Sequence, residues 1–168
     1  MKNRKGFTLV ELLAVVALMA ILLTIAAPAV LSFTTRMKSD MFCNKVETIE
    51  KSAQMFGQDN MASIIGGRDD INKCYYKSGA TSVPVADCLA TDVQVLLAKG
   101  YLTKEAAKGN DTPDDFFDPR DGRSLKTNNV FVYIVNKRAY AAFVYNDQRD
   151  AELCDGTYYM SGTGIVKR

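Results

Sequence analysis

The sequence predicts an α+β protein in which a long N-terminal helix packs on a small antiparallel β-sheet. The helix has two parts, an apolar run at residues 12–31 and an amphipathic stretch that follows it. The sheet is predicted from residues 130–135 and 139–145, which are rich in β-branched and aromatic side chains. With 168 residues, the chain is long enough for one domain and an anchor, but not for two full domains.

The apolar run predicts a helix that can cross a membrane. It contains no charged residue, and as a helix it is about 30 Å long, close to the hydrocarbon thickness of a bilayer. Lys2, Arg4 and Lys5 precede it, and basic residues ahead of a span favour a cytoplasmic N-terminus. Pro28 lacks an amide hydrogen and cannot bond the carbonyl of Thr24, so we expect the helix to bend there.

Glu11 is the candidate functional residue of this segment. A carboxylate at the edge of a membrane span is costly unless it is paired. Glu11 lies one helical turn from Phe7. If the chain is cut after Gly6, the new amine of Phe7 would attract the Glu11 carboxylate of a neighbouring copy, because opposite charges interact strongly in apolar surroundings. Such a pair would set the stagger between parallel helices.

Two other interpretations of the N-terminus stay open. A secretory signal also has a basic start and an apolar core, and Ala27-Pro28-Ala29 imitates its cleavage site. A plain anchor would keep its first residues. In either case the chain would be a secreted or membrane-anchored binding protein that does not polymerise.

Residues 6–11, which read Gly-Phe-Thr-Leu-Val-Glu after a short basic leader, resemble the processing site of type IV pilins and type II secretion pseudopilins. The resemblance implies the pilin fold, cleavage between Gly6 and Phe7 by a prepilin peptidase, and N-methylation of Phe7. It also implies an assembly role for Glu11 and a helix-bending role for Pro28. The chain would then be a structural subunit of a type IV pilus or related filament. The alternative is a type II secretion pseudopilin or competence pseudopilus subunit.

The resemblance further implies a domain organisation, partners and a location. Residues 1–6 would be a cleaved leader, residues 7–33 the transmembrane and polymerisation helix, and residues 34–168 a globular head that includes the C-terminal half of the helix. The partners would be copies of the chain, other pilin-like subunits, the prepilin peptidase and an inner-membrane assembly platform. The subunit would cross the cytoplasmic membrane once with its N-terminus inside, and would then join an extracellular or periplasmic filament.

The head is predicted from local patterns. The helix should run from Thr8 to Phe56 and end at Gly57. Its apolar face recurs at steps of four and three residues: Phe42, Val46, Ile49, Ala53 and Phe56. Residues 58–90 contain several glycines and a proline and are predicted to be irregular. Thr91 fits the N-cap of a short helix that Gly100 ends.

The sheet should contain three or four antiparallel strands. The two apolar stretches, joined by residues 136–138, predict a hairpin. Residues 157–160 and 165–166 predict a third and a fourth strand. A sheet of this size laid on one helix is an α+β head.

The cysteines indicate disulfides in an oxidising compartment. Cys43, Cys74, Cys88 and Cys154 contain no C-x-x-C pair, which disfavours a zinc ribbon or a thioredoxin-like motif. Three pairings can be drawn from four cysteines. We favour Cys74–Cys88, which would staple a local loop, together with Cys43–Cys154, which would tie the C-terminal region to the long helix. The alternative is that the cysteines are reduced and buried.

A turn-rich loop carries a group of aspartates that can be interpreted in two ways. They are Asp111, Asp114, Asp115, Asp118 and Asp121. Closely spaced carboxylates can hold calcium, and several pseudopilins carry a calcium-binding loop near this place. The loop lacks the closing glutamate of the helix-loop-helix calcium motif. In the other interpretation, the aspartates are solvated and stabilise turns.

Composition excludes several other functions. The chain contains no histidine, which removes the commonest general base and metal ligand. We therefore expect no enzyme activity and, apart from that calcium, no cofactor. The net charge is +2, and three of the basic residues lie in the leader. A nucleic-acid partner therefore stays open, but the charge gives no support for it.

Overall fold

The computed structural model describes residues 8–65, 73–106, 113–162 and 164–168, without the side chains of Ile25, Ala26, Pro28 and Ala29. The chain divides into two compact units, residues 1–38 and 39–168. The first unit is described by one element, the beginning of helix α1. The second unit contains the other helices and strands of the described residues.

Helix α1 spans Leu9–Asp59. In the unit formed by residues 39–168, one of its faces is buried, with exposed fractions between 0% and 5%. These are the residues predicted from their spacing: Phe42, Val46, Ile49, Ala53 and Phe56. They share a core with Val130, Val132 and Ile134 of the sheet. The amphipathic half of the predicted helix is therefore confirmed.

Gly57 does not end α1, and the predicted terminator is wrong. The helix continues to Asp59. A Cβ at Gly57 would overlap Cγ1 of Val132 and would lie 3.0 Å from Cβ of Ala139. Gly57 therefore allows the helix and the sheet to approach closely. Glycine is used at such close contacts as well as at positions with a left-handed backbone conformation.

The prediction of an irregular segment at residues 58–90 is also wrong for its described part. Helix α2 spans Met61–Ile64, strand β1 spans Lys73–Ser78 and strand β2 spans Thr81–Asp92. Gly79, with a φ of +62°, lies in the hairpin turn between β1 and β2. Pro84 lies opposite Tyr75, where the register of the pair shifts, and proline is tolerated at bulges.

Helix α3 spans Val93–Ala98, and its N-cap is Asp92 rather than the predicted Thr91. The Asp92 side chain accepts a hydrogen bond from the amide of Val95 at 2.8 Å. Thr91 instead belongs to β2 and lies opposite Val130. Two short strands follow, β3 at Glu105–Ala106 and β4 at Pro113–Asp115, and they pair with each other.

Strands β5 (Asn129–Val135) and β6 (Arg138–Tyr145) form the predicted hairpin. Its turn residues, Asn136 and Lys137, have φ values of +50° and +61°, the signs that a two-residue type I′ turn requires. Helix α4 (Gln148–Leu153) leads to β7 (Tyr158–Ser161) and β8 (Gly164–Lys167). The last two are close to the predicted third and fourth strands.

The main sheet is a closed barrel of six strands in the order β1-β2-β5-β6-β7-β8. This corrects the prediction of a small open sheet. Most neighbours are antiparallel, but β6–β7 and β1–β8 are parallel.

Closure follows from a strand that is apolar on both faces. Val130, Val132 and Ile134 of β5 pack in the core that contains α1. Phe131, between them, belongs to a second cluster with Cys74, Cys88, Ala142, Val144 and Tyr158. A strand with two apolar faces needs cover on both sides, and β1, β2, β7 and β8 contribute side chains to the cluster on the second face.

Candidate assembly site

The first turn of α1 is held by Thr8 and Glu11. Oε2 of Glu11 accepts hydrogen bonds from the amide and the hydroxyl of Thr8, both at 2.9 Å. The Thr8 hydroxyl accepts one from the amide of Glu11 at 3.3 Å. This reciprocal pattern is a capping box, in which each side chain satisfies an amide that the helix leaves unpaired. The Thr-x-x-Glu spacing signals it, and our sequence reasoning missed it.

The capping box places the Glu11 carboxylate at the N-terminal end of α1, where the helix dipole favours negative charge. Gly6 and Phe7, the predicted cleavage and methylation residues, lie outside the described residues. The side chain of Pro28 also lies outside them, although the backbone at that position belongs to α1. The predicted pairing of Phe7 with Glu11 and the predicted bend at Pro28 therefore stay predictions.

Helix α1 exposes many apolar side chains among the described residues of the unit formed by residues 1–38. The large apolar side chains described between Leu9 and Phe33 are 46% to 78% exposed. No helix in the described part of the chain combines the length and the apolar character that crossing a membrane requires. The predicted membrane span is not confirmed.

Two disulfides join the elements of the head. Cys43 on α1 bonds Cys154 at the end of α4, with their Cα atoms 5.3 Å apart. Cys74 on β1 bonds Cys88 on β2, with a Cα–Cα distance of 5.6 Å. These are the two pairings that we favoured from the sequence.

Arg120 neutralises two of the carboxylates near the aspartate-rich loop. Its Nη2 lies 2.7 Å from Asp118, and its Nη1 and Nη2 donate to the two oxygens of Asp150 at 2.5 Å and 2.9 Å. Its guanidinium carbon lies 3.6 Å from the centre of the Phe42 ring. Hydrogen bonds to Asp150 and Asp118 raise the pKa of Arg120, so this group keeps its charge.

Other aspartates of the loop also have protein partners. Asp115 accepts a hydrogen bond from the amide of Phe116 at 2.6 Å and lies 3.4 Å from the ammonium of Lys126. Asp121 accepts one from the amide of Arg123 at 3.0 Å, which is the main cause of its lowered pKa. The described residues contain no group of three or more possible ligands that could hold a metal ion.

The calcium prediction is left open by this geometry. Asp114 is exposed, and Asp111 lies outside the described residues. Asp115, Asp118 and Asp121 are all engaged by basic side chains or backbone amides, an arrangement that stabilises turns. What sequence reasoning missed was Arg120, whose partner Asp150 lies thirty residues away along the chain.

Glu50 lies on the side of α1 that faces β6. Its Oε1 accepts a hydrogen bond from the amide of Phe143 at 2.9 Å, and Gln58 accepts one from the amide of Ala139 at 3.3 Å. Two side chains of α1 therefore cap amides along β6. Burial raises the pKa of Glu50, because a partly dehydrated carboxylate favours its neutral form.

Residues 1–27 match the family model described as the prokaryotic N-terminal methylation motif. No curated protein and no solved structure matches the chain. The matched segment contains the predicted cleavage site, Thr8 and Glu11. The N-terminal segment thus carries the methylation motif of prepilin-type proteins, which supports a type IV pilin-like protein and does not distinguish a pilin from a pseudopilin.

Proposed function

We propose that this chain is a structural subunit of a type IV pilus or a related filament, and that it assembles through the N-terminal part of α1. The observation that carries the proposal is the methylation motif at residues 1–27. The role is structural and includes no reaction.

The motif implies processing by a prepilin peptidase. Cleavage after Gly6 would remove the basic leader and create an amine at Phe7, which would then be methylated. Methylation of an amine keeps its positive charge while adding apolar surface. The product therefore suits an apolar surrounding in which one charge must be paired.

Glu11 is the partner that we assign to this amine. The capping box uses one of its oxygens, Oε2, for the amide and the hydroxyl of Thr8. In a bundle of parallel helices, its other oxygen can accept from the amine of a neighbouring copy. A charge pair surrounded by apolar side chains is strongly favoured over two separate charges, so it would fix the stagger between subunits.

Cohesion between subunits comes from the exposed apolar side chains between Leu9 and Phe33. Lipid already covers this surface while the subunit is in the membrane, so close packing between the helices of neighbouring copies, rather than removal from water, would favour assembly there. Before assembly, residues 7–33 would hold the subunit in the cytoplasmic membrane with its N-terminus inside. An inner-membrane platform would then transfer the subunit to the filament.

The disulfide between Cys43 and Cys154 favours a surface pilus over a secretion pseudopilus. It fastens the end of α4 to α1, and a covalent tie of this kind suits a fibre that is exposed and under tension. A pseudopilin remains the second candidate, and the location of the assembled filament distinguishes the two.

The test begins with the mature protein from its native membrane, whose intact mass and first residue are measured. We expect a start at N-methylated Phe7. A start at Val30 would mean ordinary secretion, and an intact Met1 would mean a static anchor. Either result would overturn the proposal, since both remove the amine that Glu11 requires.

Substitution of Glu11 separates its role in the capping box of α1 from its proposed pairing with the amine of Phe7. Glutamine retains the oxygen that a capping box needs, but it carries no charge. We expect Glu11→Gln and Glu11→Ala to be processed normally and both to be absent from filaments sheared from the cells. Glu152→Gln, an exposed position on the head, is the matched control and should assemble. Normal filaments from Glu11→Gln would show that the carboxylate only caps its own helix.

A further inference from the structure

Strand β6 has a neighbouring strand on only one side along most of its length. On one side, β5 pairs with residues 138–143. On the other side, β7 pairs with β6 at Val144 and Tyr145. No other strand of the described residues pairs with β6. Residues 138–143 therefore form an open edge in the described part of the chain, which we call the β6 edge.

The hairpin geometry decides which backbone groups point outward from the β6 edge. Val135 and Arg138 flank the two-residue turn and form a hydrogen-bonded pair, and such pairs alternate with non-hydrogen-bonded pairs along an antiparallel ladder. The N–H and C=O groups of Ala139, Ala141 and Phe143 therefore point away from β5. A row of unpaired donors and acceptors is a template on which another strand can pair.

Two side chains of α1 occupy the outward amides at the two ends of this row. Oε1 of Gln58 accepts from the amide of Ala139 at 3.3 Å, and Oε1 of Glu50 accepts from the amide of Phe143 at 2.9 Å. Eight residues of a helix span about 12 Å, and four residues of a strand span about 13 Å. The spacing of the two acceptors on α1 therefore matches the spacing of the two amides on β6.

The composition of β6 indicates what would pair with an unprotected edge. Beyond Arg138, the strand reads Ala-Tyr-Ala-Ala-Phe-Val-Tyr, with no charge, glycine or proline. Uncharged segments of this length and kind readily pair with copies of themselves. Two such edges placed antiparallel about a twofold axis match each outward donor with an acceptor. The occupant that fits the β6 edge is therefore the same edge of a second copy.

We propose that Glu50 and Gln58 form a block that prevents the β6 edge from pairing with the β6 edge of a second copy. Natural edge strands are protected by charges, prolines or bulges, and here side chains of α1 provide the protection. A second copy would have to displace both acceptors before it could pair. The block is intramolecular, so it acts at any concentration of the chain. The inference does not rest on the filament proposal.

Sedimentation equilibrium of the purified full chain in detergent micelles tests the block. We expect Glu50→Ala with Gln58→Ala to self-associate at least about tenfold more tightly than the natural chain, because two hydrogen bonds that compete with pairing are removed. The amide of Ala141 should then exchange with deuterium more slowly at high protein concentration than at low concentration. Unchanged association of this double variant would overturn the proposal.

Two double variants serve as controls for the alanine substitutions. Glu47→Ala with Gln54→Ala removes the same residue types from α1, and neither side chain bonds β6 in the described part of the chain, since Glu47 pairs with Lys51. Glu50→Gln with Gln58→Glu exchanges the two residue types and keeps an acceptor at each position. Both controls should associate no more tightly than the natural chain. Tight association of the exchanged variant would contradict the block, because its acceptors are retained.

A proline at position 141 shows whether the copies meet at the β6 edge. The amide of Ala141 points away from β5, so Ala141→Pro removes an outward donor without removing a hydrogen bond to β5, and proline is tolerated at such edge positions. Added to Glu50→Ala with Gln58→Ala, it should return association to the natural level. Association that persists would mean that the copies meet through another surface, and the block would be wrong.

Gln58→Ala alone keeps the proposal testable if the double variant does not fold, which circular dichroism reports. The bond from Gln58 to Ala139 is exposed, so its loss should disturb the core little. We expect this single variant to associate more tightly than the natural chain, and Ala141→Pro should again reverse the effect. No increase in association would overturn the block.

Discussion

At the scale of single residues, Arg120 organises a charged cluster in the head. It bonds Asp118 and Asp150 and lies over Phe42. The side chains of Asp118 and Asp150 are only 2% and 14% exposed. Two poorly solvated carboxylates next to each other would repel unless a cation lies between them. Arg120 is therefore the group on which this part of the fold depends.

Replacement of Arg120 by methionine tests this dependence. The change leaves the buried charges of Asp118 and Asp150 uncompensated, and we expect it to lower the free energy of unfolding by about 3–5 kcal/mol. Arg123→Met is the matched control in the same loop. Its ion pair with Asp121 is exposed, so its loss should be within about 1 kcal/mol. Guanidinium unfolding of both variants measures the difference, and equal losses would show that Arg120 is an ordinary surface residue.

Glu50 predicts a pH dependence with a definite sign. Burial raises its pKa in the folded chain above the unfolded value. Its contribution to stability is therefore complete below the unfolded pKa and is lost as the pH rises through the folded pKa. Glu50→Gln has no such titration and can still accept from the amide of Phe143. Relative to the natural chain, this variant should gain stability as the pH rises from about 4 to about 7.

The measurement for Glu50 is the free energy of unfolding at the two pH values. Glu152→Gln, which removes an exposed carboxylate, is the control for the loss of one negative charge. The burial argument is contradicted if both variants show the same change with pH.

At the scale of elements, the close approach of α1 to the β5–β6 hairpin depends on Gly57. Val132 and Ala139 occupy the space that a side chain would need. The apolar stripe of α1 packs on the same hairpin. The glycine therefore permits a helix-to-sheet distance that any other residue would increase.

Gly57→Ala should destabilise the head although alanine favours helices more than glycine does. Overpacking costs about 1–3 kcal/mol, while the gain in helix propensity is about 1 kcal/mol. We expect a lower melting temperature for Gly57→Ala. Asn44→Ala, at an exposed position of the same helix, should melt at the natural temperature or slightly above it. A stabilised Gly57→Ala would show that the helix and the sheet are less closely packed than the structure indicates.

Elements with a local signal were predicted well. The β5–β6 hairpin follows from two apolar stretches joined by a short turn, and the buried face of α1 follows from its spacing. Strands β1 and β2 were missed because Gly79 and Pro84 were interpreted as breakers. Their actual roles, a hairpin turn and a bulge, depend on the partner strand.

At the scale of the whole molecule, the disulfide between Cys43 and Cys154 closes most of the head into one loop. The two cysteines are 111 residues apart, whereas Cys74 and Cys88 are separated by 14. A cross-link that closes a longer loop removes more entropy from the unfolded chain. The long-range disulfide should therefore contribute more to stability than the local one.

Paired alanine substitutions compare the two disulfides. Removal of Cys43 and Cys154 should lower the free energy of unfolding by about 4–5 kcal/mol, and removal of Cys74 and Cys88 by about 3 kcal/mol. Guanidinium unfolding of the two double variants measures the difference. The loop-length argument is contradicted if the local pair proves the more important one.

Sequence by itself determined the features of this protein that depend on neighbouring residues. The processing motif, the apolar run, the amphipathic face of α1 and the central hairpin are each contained in one continuous stretch of the sequence. Short-range spacing is sufficient for them, because helix and hairpin geometry place such residues side by side. The capping box of Thr8 and Glu11 belongs with them, since the spacing alone indicates it.

Only the tertiary structure decided how the sheet closes and where the charges of the aspartate-rich loop find partners. Strand β8 pairs with β1 and strand β7 with β6, and Arg120 reaches Asp150 on a different element. Nor does a glycine reveal from its sequence context whether it ends a helix or permits close packing, as Gly57 does. These features depend on which distant segments come into contact. Those contacts are decided by the free energy of burial when the whole chain folds.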